Sequence, residues 1–306
     1  MTGGAGFIGS HLVDALLEKG HAVRVLDDFS TGLEDNLPAR PGLTVLRGDI
    51  RSLAACREAA AGCEAVFHEA ALGSVPRSVA DPATTHAVNV TGTLNVFIAA
   101  YEAGARRVVY ASSSSVYGDD TTLPKREDRI GRPLSPYAAA KRSTELYAEA
   151  FARCHGLTFV GLRYFNVYGP RQRADSPYAA VVPVFLNAAV SGESAVIHGD
   201  GEQTRSFTFV ADVVDANLAA LDAPLEPGTS ALVNVGSPER CSVNELWRAV
   251  CRAARVSLSP RHGPPRAGDV RDSLADPARA KALLGFEPRW SLARGLGETL
   301  PCYAAP

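Results

Sequence analysis

The sequence lacks long apolar runs and an excess of either charge. No run approaches the ~20 apolar residues of a bilayer-spanning helix, and no basic N-terminal stretch precedes an apolar segment, as in a secretory signal. The 31 Lys and Arg residues nearly balance the 33 Asp and Glu residues, giving a net charge of -2. Such a chain has no charged surface for nucleic acid or an anionic membrane. These absences predict a cytoplasmic protein without nucleic-acid or membrane partners.

Metal-binding spacing is also absent. The six cysteines are scattered, none forms a C-x-x-C pair, and no histidine pair lies near them at zinc-finger spacing. We therefore expect no bound metal and reduced, unreactive thiols. The 306 residues, 46% of them hydrophobic, are enough for one or two domains with a substantial core.

Short segments rich in β-branched residues alternate with segments of helical periodicity. The predicted strands are His21–Leu26, Leu43–Leu46, Ala65–His68, Arg107–Ala111, Thr158–Leu162 and Ala231–Val235. The predicted helices between them include Ser10–Lys19, Val90–Ala103 and Tyr137–His155. This alternation is typical of an α/β fold, a Rossmann-like doubly wound parallel sheet with helices on both faces. Ligands of such folds bind at the carboxyl ends of the strands.

The first nine residues contain a glycine motif. Gly3, Gly6 and Gly9 have G-x-x-G-x-x-G spacing and run into an amphipathic helix. Glycines at this spacing allow a tight turn and let a pyrophosphate approach the helix N-terminus. The next strand ends in Asp27 and Asp28, about 20 residues past the loop, where a carboxylate binds the adenosine ribose. The charge of Asp27 opposes the 2′-phosphate of NADP, so the sequence predicts NAD.

A second motif lies in the middle of the chain. Tyr137 and Lys141 open a predicted helix with their side chains one turn apart on one face. A lysine ammonium and a nicotinamide cation favour phenolate and lower the pKa of a tyrosine. The upstream strand ends in Ala111–Gly118 (ASSSSVYG), where a serine hydroxyl can hydrogen-bond the substrate oxygen that Tyr137 deprotonates. Together these features predict Tyr137 as a catalytic base.

These motifs resemble those of the extended short-chain dehydrogenase/reductase family, and within it the nucleotide-sugar 4-epimerases. The matching stretches are TGGAGFIGSHL, LDDFSTG, GDI, HEAALGSVPRS, SSSSVYG, SPYAAAK, LRYFNVYGPRQR and RAGDVRDS. The resemblance implies a catalytic trio of Ser113, Tyr137 and Lys141. It implies cofactor contacts from Gly3, Gly6, Phe7, Ile8, Gly9, Asp27, Asp28, Ser30, Thr31, Gly32, Asp49, Ile50, Asn89, Ser112, Tyr137, Lys141 and Tyr164. It implies substrate contacts from Ser74, Ser113, Ser114, Tyr137, Asn166, Arg173, Val181, His198, Arg205, Arg266, Asp269 and Ser273. For Asp49 alone, an acid in a surface turn remains the alternative.

The activity implied is NAD-dependent 4-epimerisation of a UDP-sugar. Tyr137 would take the proton of the sugar 4-hydroxyl while the C4 hydride passes to NAD+, and the 4-keto sugar would receive the hydride back on its opposite face. Related 4,6-dehydratases and UDP-xylose-forming decarboxylases place acids just before Val-Tyr-Gly, where this chain has Ser114 and Ser115. The serines favour an epimerase. A non-catalytic dinucleotide-binding protein is the alternative, but such proteins commonly lose the tyrosine or the lysine.

The sugar is inferred from a few positions. Ser273 matches a site where a bulky tyrosine restricts some epimerases to glucose and galactose. Arg173, seven residues past Asn166 in a loop expected to face the hexose, matches an arginine of UDP-glucuronate epimerases, and a buried arginine needs an anion. Asn166 opposes this assignment, because the uronate type often has threonine there. We expect UDP-glucuronate and UDP-galacturonate, with UDP-glucose or UDP-N-acetylglucosamine as alternatives.

The division of the chain follows from the same patterns. We expect a dinucleotide-binding domain of residues 1–165 plus about 207–235, and a smaller UDP-sugar-binding region of residues 166–206 and 236–306. The strand that should feed the glycine loop is missing, since the loop begins at Thr2. We expect that the natural start lies upstream of Met1 or that the chain is truncated, because losing a central strand would expose the core. The resemblance also implies a homodimer through a four-helix bundle, with Val90–Ala103 and Tyr137–His155 from each copy.

Overall fold

The computed structural model describes residues 1–176, 178–264 and 271–304. Its strands are β1 (Val23–Asp27), β2 (Leu43–Arg47), β3 (Ala65–His68), β4 (Arg107–Ser113), β5 (Thr158–Tyr164), β6 (Val167–Tyr168), β7 (Val196–His198), β8 (Thr204–Arg205), β9 (Thr208–Phe209), β10 (Ser230–Val235), β11 (Cys241–Ser242) and β12 (Arg261–Gly263). Its helices are α1 (Phe7–Glu18), α2 (Leu53–Ala60), α3 (Val75–Ala80), α4 (Pro82–His86), α5 (Thr93–Glu102), α6 (Pro136–His155), α7 (Val181–Val190), α8 (Val210–Asp222), α9 (Val243–Ala254), α10 (Ala278–Leu284) and α11 (Leu292–Thr299).

The six predicted strands form a parallel sheet in two parts. β1 pairs with β2, and the other four pair in the order β10-β5-β4-β3. Helices pack on both faces, so the predicted doubly wound fold is confirmed. Alternate residues of β4 show the layering: Val109 packs in one core with α1 and α8, whereas Val108 packs in the other with α2, α5 and α6.

Thr2 joins the two parts of the sheet. It makes parallel bridges to Leu26 of β1 and His68 of β3. Its N–H donates to the carbonyl of Phe67 at 2.9 Å, and its carbonyl accepts from the N–H of Glu69 at 3.1 Å. Thr2 thus stands at the position expected for the strand before the glycine loop. These bonds fix the start of the loop to both neighbouring strands.

A third core forms the smaller region. It joins α7, α9 and α11 around side chains such as Phe185, Trp247 and Leu296. Helix α10, which the sequence assigns to the smaller region, packs against α8 and β10, with Ala280 buried in a core of the sheet. Residues 278–284 therefore lie in the helix layer of the sheet.

Candidate active site

A cleft of about 540 Å³ opens at the carboxyl ends of the strands, where the fold predicts a ligand. It brings together most of the residues predicted from sequence to contact cofactor or substrate. Those in its lining are Gly3, Gly6, Phe7, Ile8, Gly9, Asp27, Asp28, Ser30, Thr31, Asp49, Ile50, Ser74, Ser112, Ser113, Ser114, Tyr137, Lys141, Tyr164 and Asn166.

The glycine loop forms a close-packed cradle at one end of this cleft. Gly3 has φ +70°, and a Cβ there would lie 2.5 Å from the backbone N of Ala70. A Cβ on Gly9 would lie 2.1 Å from the carbonyl oxygen of Gly3. The loop leads into α1, which has no acidic residue in its first turn. No carboxylate in that turn offsets the positive end of the helix dipole, which suits a pyrophosphate.

The acids after β1 and β2 are tied to their own loops. Asp27 is buried, and its carboxylate accepts from the N–H of Ala5 at 2.8 Å and of Phe29 at 2.9 Å. Asp27 therefore holds the glycine loop as well as carrying charge at the predicted ribose position. The Asp49 carboxylate accepts hydrogen bonds from the Arg51 guanidinium at 2.5 and 2.8 Å. This local pair fits the alternative of an acid in a surface turn, although Asp49 also lines the cleft.

Helix α6 places Tyr137 and Lys141 at the cleft. The side chain of Ser135 caps its N-terminus by accepting a backbone N–H at 3.1 Å, and Gly156 ends it with φ 70°. The Lys141 Nζ donates to the carbonyl of Ala111, the residue two before Ser113, at 2.7 Å. The helix and the end of β4 thus bring the predicted trio together in one cleft.

Burial dominates the electrostatics of Tyr137 and Lys141. Burial raises the pKa of Tyr137, a hydrogen bond with Ser113 lowers it, and the charge of Glu69 raises it. Burial also lowers the pKa of Lys141 to about 8, against the opposing charge of Glu69. Among the protein groups alone, burial of the phenol outweighs the hydrogen bond, and the lowering expected from a nicotinamide cation stays a prediction. Ser113 is the group that favours phenolate.

Glu69 is a residue of the cleft that the sequence motifs do not predict. It follows β3 and lines the cleft, and its Oε1 accepts from the Tyr164 hydroxyl at 2.7 Å. Burial raises the pKa of Glu69 to about 7, although the Tyr164 hydrogen bond and the Lys141 charge oppose the shift. The residue stands inside a matching stretch, HEAALGSVPRS, but one glutamate after a strand carries no spacing signal that marks it as part of a site.

Ser112 lies in the cleft wall with its hydroxyl turned into a buried network. It donates to Glu145 of α6 at 2.7 Å, and Arg163 of β5 donates to the same carboxylate at 2.8 and 2.9 Å. Burial opposes ionisation, yet the Arg163 hydrogen bonds hold the pKa of Glu145 below its usual value. The network ties α6 to β4 and β5, and so fixes the helix that carries Tyr137 and Lys141.

Asn89 and Gly32 support the cleft from behind its lining. Asn89 accepts from the Leu72 N–H at 2.8 Å and donates to the Leu72 carbonyl at 3.0 Å, which fixes a segment of the cleft wall. It lies in a π-helical turn, Ala87–Gly92, where the predicted helix departs from α geometry. A Cβ on Gly32 would lie 2.7 Å from the Ala5 side chain, so this glycine packs against the outside of the glycine loop.

Arg173 is exposed and already has an anionic partner. Its guanidinium donates to both carboxylate oxygens of Asp175, at 2.8 and 2.6 Å, and 45% of its side chain is exposed. It borders a shallow surface pocket beside the cleft, whereas its neighbour Gln172 lines the cleft itself. The expectation that Arg173 is buried is wrong, because the side chain is exposed and pairs with Asp175 in the same loop; its contact with the sugar stays a prediction.

The remaining predicted substrate residues lie in the smaller region, beyond the lining of the cleft. His198 hydrogen-bonds the Pro264 carbonyl at 3.1 Å, and Arg205 donates to the Thr204 carbonyl at 2.8 Å. Val181 begins α7, and the Ser273 N–H donates to the Thr204 carbonyl at 3.0 Å. The structure thus does not bring these four to the catalytic trio. Arg266 and Asp269 fall outside the described residues.

The fold and the site define a class of enzyme. A glycine loop on a helix N-terminus, an acid after the following strand and a Ser-Tyr-Lys cluster at the strand ends fit a dinucleotide cofactor and hydride chemistry. In the described ranges, no helix has the length and apolar content to cross a membrane. Over the same residues, His, Cys, Asp and Glu side chains form no group that could hold a metal ion.

Comparison with known proteins identifies the family. Residues 1–236 match the NAD-dependent epimerase/dehydratase family. UDP-glucose 4-epimerase of Mycolicibacterium smegmatis is 40% identical over 309 residues, covering 98% of this chain and 96% of that protein. The structure of UDP-glucose 4-epimerase from Thermotoga maritima with UDP-glucose is 38% identical, with a TM-score of 0.93 over 99% of this chain and 97% of that one. MoeE5 in complex with UDP-glucuronic acid and NAD is 37% identical, with a TM-score of 0.89 over 98% and 96% of the two chains.

The chain belongs to the NAD-dependent epimerase/dehydratase family, in the extended short-chain dehydrogenase/reductases. It is an NAD-dependent epimerase, an isomerase, as the sequence predicted.

Proposed function

We propose that this epimerase inverts C4 of a UDP-hexose, with UDP-glucose and UDP-galactose as its main pair. The observation that carries the proposal is the convergence of Ser113, Tyr137 and Lys141 on one cleft with the glycine loop. Two UDP-glucose 4-epimerases resemble the chain over nearly its full length. Among the described residues that line the cleft, Lys141 is the one cationic side chain. No arginine lies in that lining to pair with a sugar carboxylate. A neutral hexose suits that lining.

The catalytic residues divide the proton work between them. Tyr137, as phenolate, accepts the proton of the sugar 4-hydroxyl, and Ser113 hydrogen-bonds the same phenolic group. The Lys141 ammonium, fixed by Ala111, stabilises negative charge in the cleft. Bound NAD supplies the acceptor and donor for the C4 hydride. Ser114 and Ser115 provide no acid for water loss or decarboxylation, so the 4-keto sugar is reduced again.

The smaller region holds the UDP end of the substrate in this proposal. Its division from the dinucleotide-binding domain follows the sequence prediction, with residues 278–284 reassigned to the sheet layer. Arg205 and, outside the described residues, Arg266 and Asp269 are its candidate contacts. A guanidinium suits a diphosphate because its hydrogen bonds to phosphate oxygens are charge-assisted.

A UDP-uronate is the second candidate, favoured by the likeness to MoeE5, which has been solved with UDP-glucuronic acid and with UDP-glucose. Incubation with UDP-glucose, UDP-glucuronate and UDP-N-acetylglucosamine in parallel, followed by chromatography of the products, tests the proposal. The proposal is supported if kcat/KM is highest on UDP-glucose. It is refuted if kcat/KM is highest on UDP-glucuronate or UDP-N-acetylglucosamine.

The Arg173→Ala variant separates the two candidates. Because Asp175 already neutralises this exposed guanidinium, we expect kcat/KM to change by less than about threefold, as for surface substitutions generally. Steady-state kinetics on UDP-glucose and UDP-glucuronate, with Asp175→Ala as the matched loop control, checks this. A loss of roughly ten- to a hundredfold on UDP-glucuronate alone would restore the uronate assignment, since that is the size of one charge-assisted hydrogen bond.

We also propose that the protein is a homodimer through α5 and α6. Tyr101, Leu146 and Tyr147 on these helices are large apolar or aromatic residues that are 46%, 51% and 39% exposed. A second copy would cover them in the four-helix arrangement implied by the family resemblance. Leu146→Glu should reduce the mass measured by light scattering from two chains to one, because a buried, unpaired carboxylate is unfavourable. Val184→Glu on α7 makes the corresponding change elsewhere and should leave the mass unchanged; equal masses for Leu146→Glu and the unmodified protein would refute this interface.

A further inference from the structure

Glu69 is a carboxyl group that the epimerase mechanism does not use. The chemistry needs a base, a hydrogen-bonding hydroxyl and a neighbouring cation, which Tyr137, Ser113 and Lys141 supply. Glu69 nevertheless lines the same cleft, and its charge acts on both Tyr137 and Lys141. A carboxylate withdrawn from water is unfavourable unless it is compensated. Its position beside the reacting groups therefore needs an explanation.

The hydrogen bonds around Glu69 hold its carboxylate in one place. Asn217 of α8 donates to the Tyr164 hydroxyl at 2.8 Å. The single proton of that hydroxyl is then left for Glu69, to which it is donated at 2.7 Å. The Asn217 amide also donates to the Val213 carbonyl at 2.9 Å, so the amide itself is fixed by its own helix. The end of β3, strand β5 and helix α8 thus together position the Glu69 carboxylate at the cleft.

The charged groups that face Glu69 come from two elements. Lys141 and Tyr137 face it from α6, and Tyr164 faces it from β5. The adjacent His68 is bonded instead to the hydroxyls of Thr2 and Thr93, and burial lowers the pKa of His68 to about 3, so it is neutral. Lys141 is the cation of this group, and Glu69 is its anion.

We propose that Glu69 sets the redox balance of the bound nicotinamide by favouring its oxidised, cationic form. This inference rests on the proposed function, since hydride transfer requires the ring to lie beside the sugar carbon whose hydroxyl meets Tyr137. A carboxylate whose charge reaches Tyr137 therefore also acts on the ring. Breaking the sugar C4–H bond transfers hydride to the ring and removes its positive charge, while the hydroxyl proton goes to Tyr137. An adjacent anion opposes that loss of charge.

This balance suits an epimerase. A cleft that favours oxidised cofactor returns the hydride to the 4-keto sugar quickly and keeps the reduced state short-lived. Protonation of Glu69 removes the effect, so the balance should depend on pH near the pKa of this carboxyl, about 7. Above that pH the carboxylate opposes reduction, and below it the neutral acid does not.

The reduction potential of the bound cofactor tests the proposal without sugar turnover. Holoenzyme carrying its NAD, with UDP present, is titrated with a reductant and followed by the absorbance of the reduced nicotinamide. Glu69→Gln should favour reduction about tenfold, equivalent to ~30 mV for a two-electron couple. Glu69→Asp keeps the charge and should stay close to the unmodified enzyme. Glu64→Gln removes one charge at the exposed, opposite end of β3 and should change nothing.

The pH dependence supplies a second, independent measurement. The potential of the unmodified enzyme should fall more steeply around pH 7, where Glu69 ionises, than the potential of Glu69→Gln. An unchanged potential in Glu69→Gln, or an equal shift in Glu69→Asp, overturns the proposal. If Glu69→Gln does not fold, the absence of the steeper segment in the unmodified enzyme overturns it. No sugar reacts in this titration, so its result on Glu69 can be interpreted even if the enzyme does not epimerise UDP-glucose.

Discussion

Tyr137→Phe should reduce turnover by ~10²–10⁴-fold, because proton transfer by a positioned group contributes that much to a rate. The phenolic hydroxyl is the base of the proposed mechanism, and the ring that remains still packs at the start of α6. Folding and NAD content should therefore be preserved. Initial rates of UDP-glucose epimerisation, with cofactor released by denaturation and quantified, give both quantities.

The control for this variant is Tyr147→Phe, which removes the same hydroxyl from a tyrosine of the same helix that lies outside the cleft lining and keeps its ring on the proposed dimer face. It should turn over at the unmodified rate. Activity of Tyr137→Phe within about threefold of that rate would mean that another group takes the proton, since loss of a general base has a far larger effect.

Gly9→Ala should abolish retention of NAD. Its Cβ would lie 2.1 Å from the carbonyl oxygen of Gly3, so the glycine loop must move away from the start of α1. Overpacking of this kind destabilises a protein by roughly 1–3 kcal/mol, and here it also displaces the helix N-terminus expected to bind the pyrophosphate. Cofactor content of the purified protein and thermal unfolding with and without added NAD measure the two effects.

Gly297→Ala is the matched change for this experiment, because it adds the same methyl group to α11 with no atom within 4 Å. It should keep its NAD and gain up to about 1 kcal/mol from better helix propensity. Full NAD content in Gly9→Ala would show that the loop does not form the cofactor cradle.

The architecture and the cofactor end of the site were predictable because their signals are local. Strands such as β4 are mostly apolar runs. The glycine loop, Asp27 and the Tyr137–Lys141 pair can be recognised from their spacing in the sequence. The helix boundaries shifted by a few residues, since α1 begins at Phe7 and not at Ser10. Local sequence patterns therefore predicted which segments line the cleft, and the fold brings these segments together.

The features that the sequence did not predict depend on contacts between distant segments. Glu69 matters through Tyr164, which lies 95 residues further along the chain. The hydrogen bonds of Asn89 to the backbone of Leu72 were not predicted either, and its contact with the cofactor stays a prediction. The pairing of Arg173 with Asp175 was missed for a different reason: the partner is visible in sequence, but spacing alone does not show whether two charges in a loop meet each other or a ligand.

The most direct test of the central claim follows deuterium at C4 of the sugar. Hydride held by the cofactor does not exchange with water, so UDP-glucose deuterated at C4 should give UDP-galactose that keeps its deuterium at C4, as read by mass spectrometry and NMR. The label should persist through many turnovers, with the cofactor remaining bound to the protein. Epimerised product that has lost its deuterium to water, or no UDP-galactose at all, would contradict the account.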